Sequence, residues 1–252
     1  AEVMLARPDK RNAMDEAMFE AIVAAAESLR DAPGLGAVIL HGSGPAFCAG
    51  IDTGLLMSMA GRIEMVRAEM LAPPPGTANR FQRPCTVWSE LPVPVIAAIH
   101  GVAFGAGLQL ALGADFRLVA PDARLSVMAA RWGLIPDMAG MYLMRGLARD
   151  DVVRELTYTG RIFEAEEALQ MGFVTRVCAD PLADALATAR EIADKSPSAI
   201  RAAKRIFNSA PDADAAALLL AESVEQDKLI GGAHQKEAIM ANLEKRKPVF
   251  AA

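Results

Sequence analysis

Three cysteines in 252 residues, Cys48, Cys85 and Cys178, are too few and too scattered for a disulfide framework, and no CxxC spacing offers a zinc site. A reducing cytoplasm is the expected setting. His41, His100 and His234 are equally scattered, so no metal is expected. Basic residues are also short: the formal net charge is −5 and no stripe of Lys and Arg runs along the chain, which argues against nucleic-acid binding. No GxxxxGK[ST] loop is present, and Gly105-Ala106-Gly107 does not satisfy the GxGxxG dinucleotide pattern. A GxSxG elbow and an identifiable Ser-His-Asp set are missing, which removes the serine-hydrolase reading. The N-terminus, Ala1-Glu2-Val3-Met4-Leu5, shows no signal peptide and starts abruptly inside a strand-like run, as though residues were missing upstream.

What the chain has is apolar bulk. Hydrophobic residues make up 53% of it, enough to bury one substantial core or two small ones. Pro92 to Ala114 carries no charge and is long enough to cross a bilayer. Its two leading prolines, His100, Gln109 and four glycines instead predict strand, turn and buried helix, so no membrane span is expected.

Strand-like and helical runs alternate. An amphipathic helix is predicted over about 14–31, with Met18, Ile22, Ala25 and Leu29 on one stripe. Buried strands are predicted at 37–41, 93–99 and 116–120, and a shorter one at 124–128. The alternation indicates an α/β fold with parallel pairing. From Asp180 the strands stop and four helical segments follow, two opened by Asp180-Pro181 and Ser196-Pro197, a polar cap followed by proline. The run Ala215 to Leu220 is too apolar for a solvated helix, so it is expected to pack on its own core or on a neighbouring subunit. Between 54 and 91, broken by the loop Ala72-Pro73-Pro74-Pro75-Gly76-Thr77, lie Leu55, Leu56, Met57, Met59, Met65 and Met70. These either line a flexible apolar pocket or form an amphipathic helix core; Phe81, Trp88 and Leu91 carry the same ambiguity.

The chemistry concentrates in two glycine-containing turns, Ala46 to Asp52 and His100 to Gly107, each following an apolar run. Turns of this kind aim backbone N–H groups at a single oxygen, and an amide at the first turn of a helix suits a carbonyl that becomes an oxyanion. The alternative for each turn is tight packing alone.

Taken together, Pro94 to Gly101, the turn to Gly107, Ala114-Asp115 and Ala46 to Asp52 resemble the crotonase superfamily, the enoyl-CoA hydratases and isomerases. Arg7-Pro8, Asn12-Ala13-Met14, Thr159-Gly160, Ala165 to Ala168, Gly172-Phe173-Val174 and Glu244 to Pro248 extend that resemblance along essentially the whole chain. It implies a spiral of ββα turns over 1–179, with 180–252 as a C-terminal helical trimerisation region, in a trimer or a dimer of trimers. It also implies an acyl-CoA substrate, with coenzyme A entering as part of that substrate and no separate cofactor. The oxyanion donors would be the N–H groups of Ile51 and Ala106. Lys10 and Arg11, with Ala49, Asp52, Thr53 and Gly54, fall where the family holds coenzyme A; for the two basic residues a solvated loop is the competing reading.

Two departures bear on turnover. Where the family's hydratases carry a pair of glutamates, this chain has Gln109 and Ala129, neither able to take a proton at neutral pH. Asp137, in Gly133-Leu134-Ile135-Pro136-Asp137, falls where dienoyl-CoA isomerases and chlorobenzoyl-CoA dehalogenases carry a catalytic aspartate. It is read either as the proton carrier or as the N-cap of a helix running to Arg145. The chain is therefore expected to be an enoyl-CoA hydratase/isomerase-type enzyme working through Asp137, with Gln109 positioning substrate or water. The alternative is an acyl-CoA-binding homologue without turnover.

Overall fold

A computed structural model describes residues 1–74 and 76–250; Pro75 of the predicted loop lies outside the described residues. Strands β1 (Glu2–Leu5), β2 (Val38–Gly42), β3 (Val95–Ile99), β4 (Val102–Phe104), β5 (Phe116–Val119), β6 (Arg124–Ser126), β7 (Phe163–Glu164) and β8 (Arg176–Val177) form two sheets. The larger runs β1-β2-β3-β5-β8, parallel throughout. In the smaller, β4 and β6 pair in parallel and β6 and β7 antiparallel.

A parallel sheet covered on both faces needs unbroken apolar strands, and every residue of β2 and β3 is buried. Alternation then divides them between two cores. Val38, Leu40, Val95, Ala97 and Ile99 join the main core, whereas Ile39, Ile96, Ala98 and Leu118 face the opposite side. The strands predicted over 93–99 and 124–128 are real but shorter, and the turn after β3 contains β4, a further strand that the glycines on either side had masked.

The helices are α1 (Glu16–Leu29), α2 (Thr53–Ala60), α3 (Ile63–Leu71), α4 (Arg83–Thr86), α5 (Ala106–Leu112), α6 (Gly140–Met144), α7 (Asp150–Thr159), α8 (Ala165–Met171), α9 (Pro181–Ala193), α10 (Pro197–Ser209), α11 (Ala215–Leu229) and α12 (Ala233–Leu243). Asp15 caps α1 by accepting the Met18 amide, and Met18, Phe19, Ile22 and Ala26 are its buried residues. Asp180 and Ser196 cap α9 and α10 through Ala183 and Ala199, with proline following each cap. Helix α9 covers the second core, where Leu182, Leu186, Ala189 and Ile192 pack.

Helix α10 is tied to the sheet by Lys204, a buried ammonium that donates to the Trp88 and Val93 carbonyls and to Asp115 Oδ2 at 2.8 Å. The same Asp115 oxygen accepts the Val95 amide at the head of β3. Helix α11 lies against α10 with Leu218 half-buried, but it buries no residue fully, and Leu219, Leu220 and Val224 are exposed on it. In the 54–91 segment Leu55 is buried and Met59 and Met70 pack on the core, as do buried Phe81, Trp88 and Leu91; Met57 and Met65 are exposed. Among the described residues, no helix is long and apolar enough to cross a membrane and no His/Cys/Asp/Glu group is arranged for a metal ion.

Candidate active site

The carboxyl ends of β2 and β3 deliver two segments side by side, the usual location of a binding crevice in an open parallel sheet. Asn12, fully buried, fastens the first of them: its amide donates to the Ser43 and Ala46 carbonyls while its oxygen accepts the Arg7 amide. The two segments then bond as strands do. Phe47 N–H donates to His100 O, Cys48 N–H to Val102 O, and Phe104 N–H to Cys48 O, at 2.9–3.1 Å. Gly50 permits the final approach. Its φ is +104°, and a Cβ there would lie 2.8 Å from Phe104 O, so a side chain would push the segments apart.

Two amides here, those of Ile51 and Ala106, make no hydrogen bond among the described residues. Met14 N–H donates to Gly50 O and Asp52 N–H to Met14 O, a parallel bridge in which the intervening Ile51 turns its own N–H the other way. Ala106 opens α5, whose first intrahelical bond runs from Gln109 N–H to Gly105 O, so the Ala106 amide precedes the helical ladder. Both residues line one cavity of about 340 Å³. Its walls also hold Lys10, Ala49, Asp52, Thr53, Gln109, Ala129, Trp132, Leu134, Ile135 and Asp137.

Two carboxylates reach this cavity, and their surroundings push them in opposite directions. Asp52 caps α2 by accepting the Gly54 amide at 2.8 Å and pairs with Arg7 at 3.2 Å; the amide foremost, then Arg7, holds it below the usual carboxylate range. It is a fixed anion. Asp137 is half-buried, and burial pushes it above that range. The N-cap expectation for Asp137 is not met. Helix α6 starts at Gly140, its cap residue Ala139 contributes no side-chain bond, and the Gly140 amide is accepted by Gln109 Oε1 at 2.9 Å. Because an N–H demands an acceptor, the Gln109 oxygen is fixed toward α6 and its NH₂ group is the end left for the cavity. Cys48, beneath the first turn, is a buried thiol pushed up to about 12 by desolvation and is no nucleophile.

Of the residues the sequence singled out, Lys10, Ala49, Ile51, Asp52, Thr53, Ala106, Gln109 and Asp137 meet in this cavity. Arg11 and Gly54 are not among its walls. Arg11 is exposed, its carbonyl accepting the Ala49 amide, and the Gly54 amide is spent on Asp52. Sequence reasoning passed over Trp132, Leu134 and Ile135, whose signal was an apolar group beside Asp137 broken only by Gly133. It gave no role to Arg7, which bonds the Ala13 carbonyl and pairs with both Asp15 and Asp52.

The enoyl-CoA hydratase/isomerase family model matches residues 1–252. The chain belongs to that family. Its α/β architecture is the crotonase fold, shared with an enoyl-CoA hydratase from Bacillus anthracis (TM-score 0.89, 29% identity, 99% of this chain and 94% of that one). Among curated relatives of this hydratase/isomerase-family chain, a Delta(3,5)-Delta(2,4)-dienoyl-CoA isomerase of Rattus norvegicus is 35% identical over 210 residues, 77% of this chain. The chain spans 61% of that relative's length. A probable enoyl-CoA hydratase of Bacillus subtilis is 30% identical over 242 residues, covering 95% of this chain and 90% of the relative.

Proposed function

We propose that this chain is an acyl-CoA thioester enzyme in which the Ile51 and Ala106 amides hold the thioester oxygen and Asp137 carries the proton. One observation supports this most directly: the two amides and the single carboxylate displaced upward by burial share one cavity. Asp137 as carboxylate takes a proton from an acyl carbon conjugated to the thioester, and the electron pair of the broken C–H bond moves onto the carbonyl oxygen. The resulting enolate is stabilised by the two N–H donors. The Asp137 carboxyl then returns the proton at another carbon of the acyl chain, so the double bond moves and no atom is gained or lost. Gln109 contributes its NH₂ as a positioning donor and transfers no proton. Lys10 supplies positive charge for the anionic coenzyme A portion, with Arg11 beside it on the exposed loop; Ala49, Thr53 and the Asp52–Gly54 cap shape that wall.

An isomerase reading is favoured over hydration because Ala129 and Gln109 offer no second acid or base. The dienoyl-CoA isomerase relatives agree with that choice. Coenzyme A enters only as part of the substrate, and no resident cofactor is required. The uncovered apolar face of α11 supports residues 180–252 as an oligomerisation region of a homotrimer or dimer of trimers, set on a catalytic core of 1–179. Three free cysteines suit a reducing cytoplasm.

The test compares wild type with Asp137→Asn against enoyl-, dienoyl- and aroyl-CoA thioesters, with binding measured in parallel. Turnover lost while binding is retained supports the assignment. Robust hydration that persists in Asp137→Ala overturns it, and tight binding without turnover in wild type makes the chain an acyl-CoA binder.

A further inference from the structure

Between the 3-10 turn at Ala129–Trp132 and α6, three large apolar side chains stand exposed: Trp132 at 62%, Leu134 at 55% and Ile135 at 66%. Contiguous exposed apolar groups of this size usually mark a binding surface. These three line the same cavity as Asp137 and the Ile51 and Ala106 amides. Whatever is bonded to the thioester carbon is thereby delivered to them. The carbons nearest the thioester must lie between the amides and Asp137 to react, so contact with the exposed wall falls to atoms farther along the acyl group. No charged residue lies between Trp132 and Pro136, and neighbouring Arg131 is not part of the cavity wall, so the wall suits an apolar group.

We infer that Trp132, backed by Leu134 and Ile135, is the specificity-determining wall for the acyl group, favouring extended or aryl apolar acyl groups over short ones. This rests on the thioester reading above. An indole presents a large rigid face with only two side-chain torsions to immobilise, which is why one such residue can dominate a preference.

The chain has two tryptophans; Trp88 is fully buried and Trp132 is exposed, so a ligand-induced change in indole emission reports Trp132. Saturated butanoyl- and octanoyl-CoA, with benzoyl-CoA, are titrated by calorimetry into wild type, Trp132→Phe and Trp132→Ala, so that affinity is read without turnover and independently of the substituted indole, with emission followed in wild type alone. In wild type the emission shifts to the blue, and octanoyl- and benzoyl-CoA bind at least about tenfold more tightly than butanoyl-CoA. Trp132→Ala abolishes that preference while leaving butanoyl-CoA affinity within about twofold, and Trp132→Phe retains most of it.

A preference unchanged in Trp132→Ala overturns the inference, as does an equal loss for all three ligands. A changed oligomeric state of Trp132→Ala in sedimentation equilibrium also overturns it, by making the patch an interface between copies. Failure of every thioester to bind wild type overturns the thioester reading itself, which separates the two.

Discussion

The side-chain oxygen of Gln109 accepts the backbone amide of Gly140 at 2.9 Å, joining the second turn of the candidate oxyanion site to the first residue of α6. The pair is close-packed as well as bonded: a Cβ at Gly140 would lie 2.6 Å from that oxygen and 2.8 Å from Pro136 Cβ. Gln109 is thus committed to holding the Asp137 segment in place. Gln109→Glu alone is expected to leave crotonyl-CoA hydration weak, because the new carboxylate keeps accepting the Gly140 amide and Ala129 still offers nothing. Adding Ala129→Glu is expected to raise hydration by about a hundredfold or more over wild type, since a positioned acid or base contributes roughly 10²–10⁴. Steady-state hydration rates for the two single variants and the double one decide this; a hundredfold gain from Gln109→Glu by itself would contradict it.

Burial of Asp137 without an ion pair costs stability whenever the carboxyl is ionised. Its folded pKa lies above the unfolded one, so the native state holds more protons between the two values and stability falls as pH rises across that window. Asp137→Asn is therefore expected to raise Tm at pH 7, with the gain vanishing below the unfolded value near pH 3.8. The acid limb of kcat/KM in wild type should sit above the ordinary aspartate range for the same reason. Thermal scans across pH, paired with a pH–rate profile, test both; a lower Tm for Asp137→Asn at pH 7 would show the carboxylate to be stabilised in the fold.

Much of the framework was readable because its causes are local. Continuous apolar runs gave β2 and β3, and a polar residue before proline gave the starts of α9 and α10. Strand β4 escaped because three residues between glycines carry too little pattern, and β7 and β8 are shorter still. Ile51 and Ala106, picked out from two backbone turns, line one cavity. Of the two readings of Asp137, the N-cap one failed because a distant partner decides: the α6 amide is taken by Gln109, far away in the chain. Arg11 and Gly54 lie beside the cavity rather than in its wall, Arg11 exposed and the Gly54 amide bonded to Asp52. No local pattern distinguishes a basic residue facing a cavity from the next one facing solvent.

Arg7 sits at such a non-local node. Its guanidinium pairs with Asp15 and Asp52, both at 3.2 Å, and those carboxylates cap α1 and α2. Asp52 has a depressed folded pKa, so its contribution is present above the unfolded value and is lost as pH falls through the folded one. Arg7→Ala removes part of that depression, leaving the Gly54 amide and the Lys10 charge as the remaining causes. Acid unfolding of Arg7→Ala, followed by Trp fluorescence, is expected to begin at higher pH than in wild type. Superimposable acid transitions would mean that Arg7 contributes nothing measurable and that the Gly54 amide with Lys10 fixes Asp52.

Lys204 links the C-terminal helices to the sheet under different electrostatics, because here the cation is the buried partner. Desolvation lowers its pKa and the attraction of Asp115 opposes that, while the Trp88 and Val93 carbonyls satisfy its other donors. Lys204→Met leaves the Trp88 and Val93 carbonyls without their buried donor, and such unpaired groups cost about 1–3 kcal/mol each, so it is expected to lower the unfolding free energy by about 3 kcal/mol in urea titrations. Asp115→Asn should cost less, since Asp115 is partly exposed and an amide oxygen can still accept the Val95 N–H. The double variant should then be less destabilised than the sum of the singles, because the second change removes a group the first had left unpaired. If the two losses simply add, the Lys204 ammonium is held by the two carbonyls, and its docking of α10 does not depend on the aspartate.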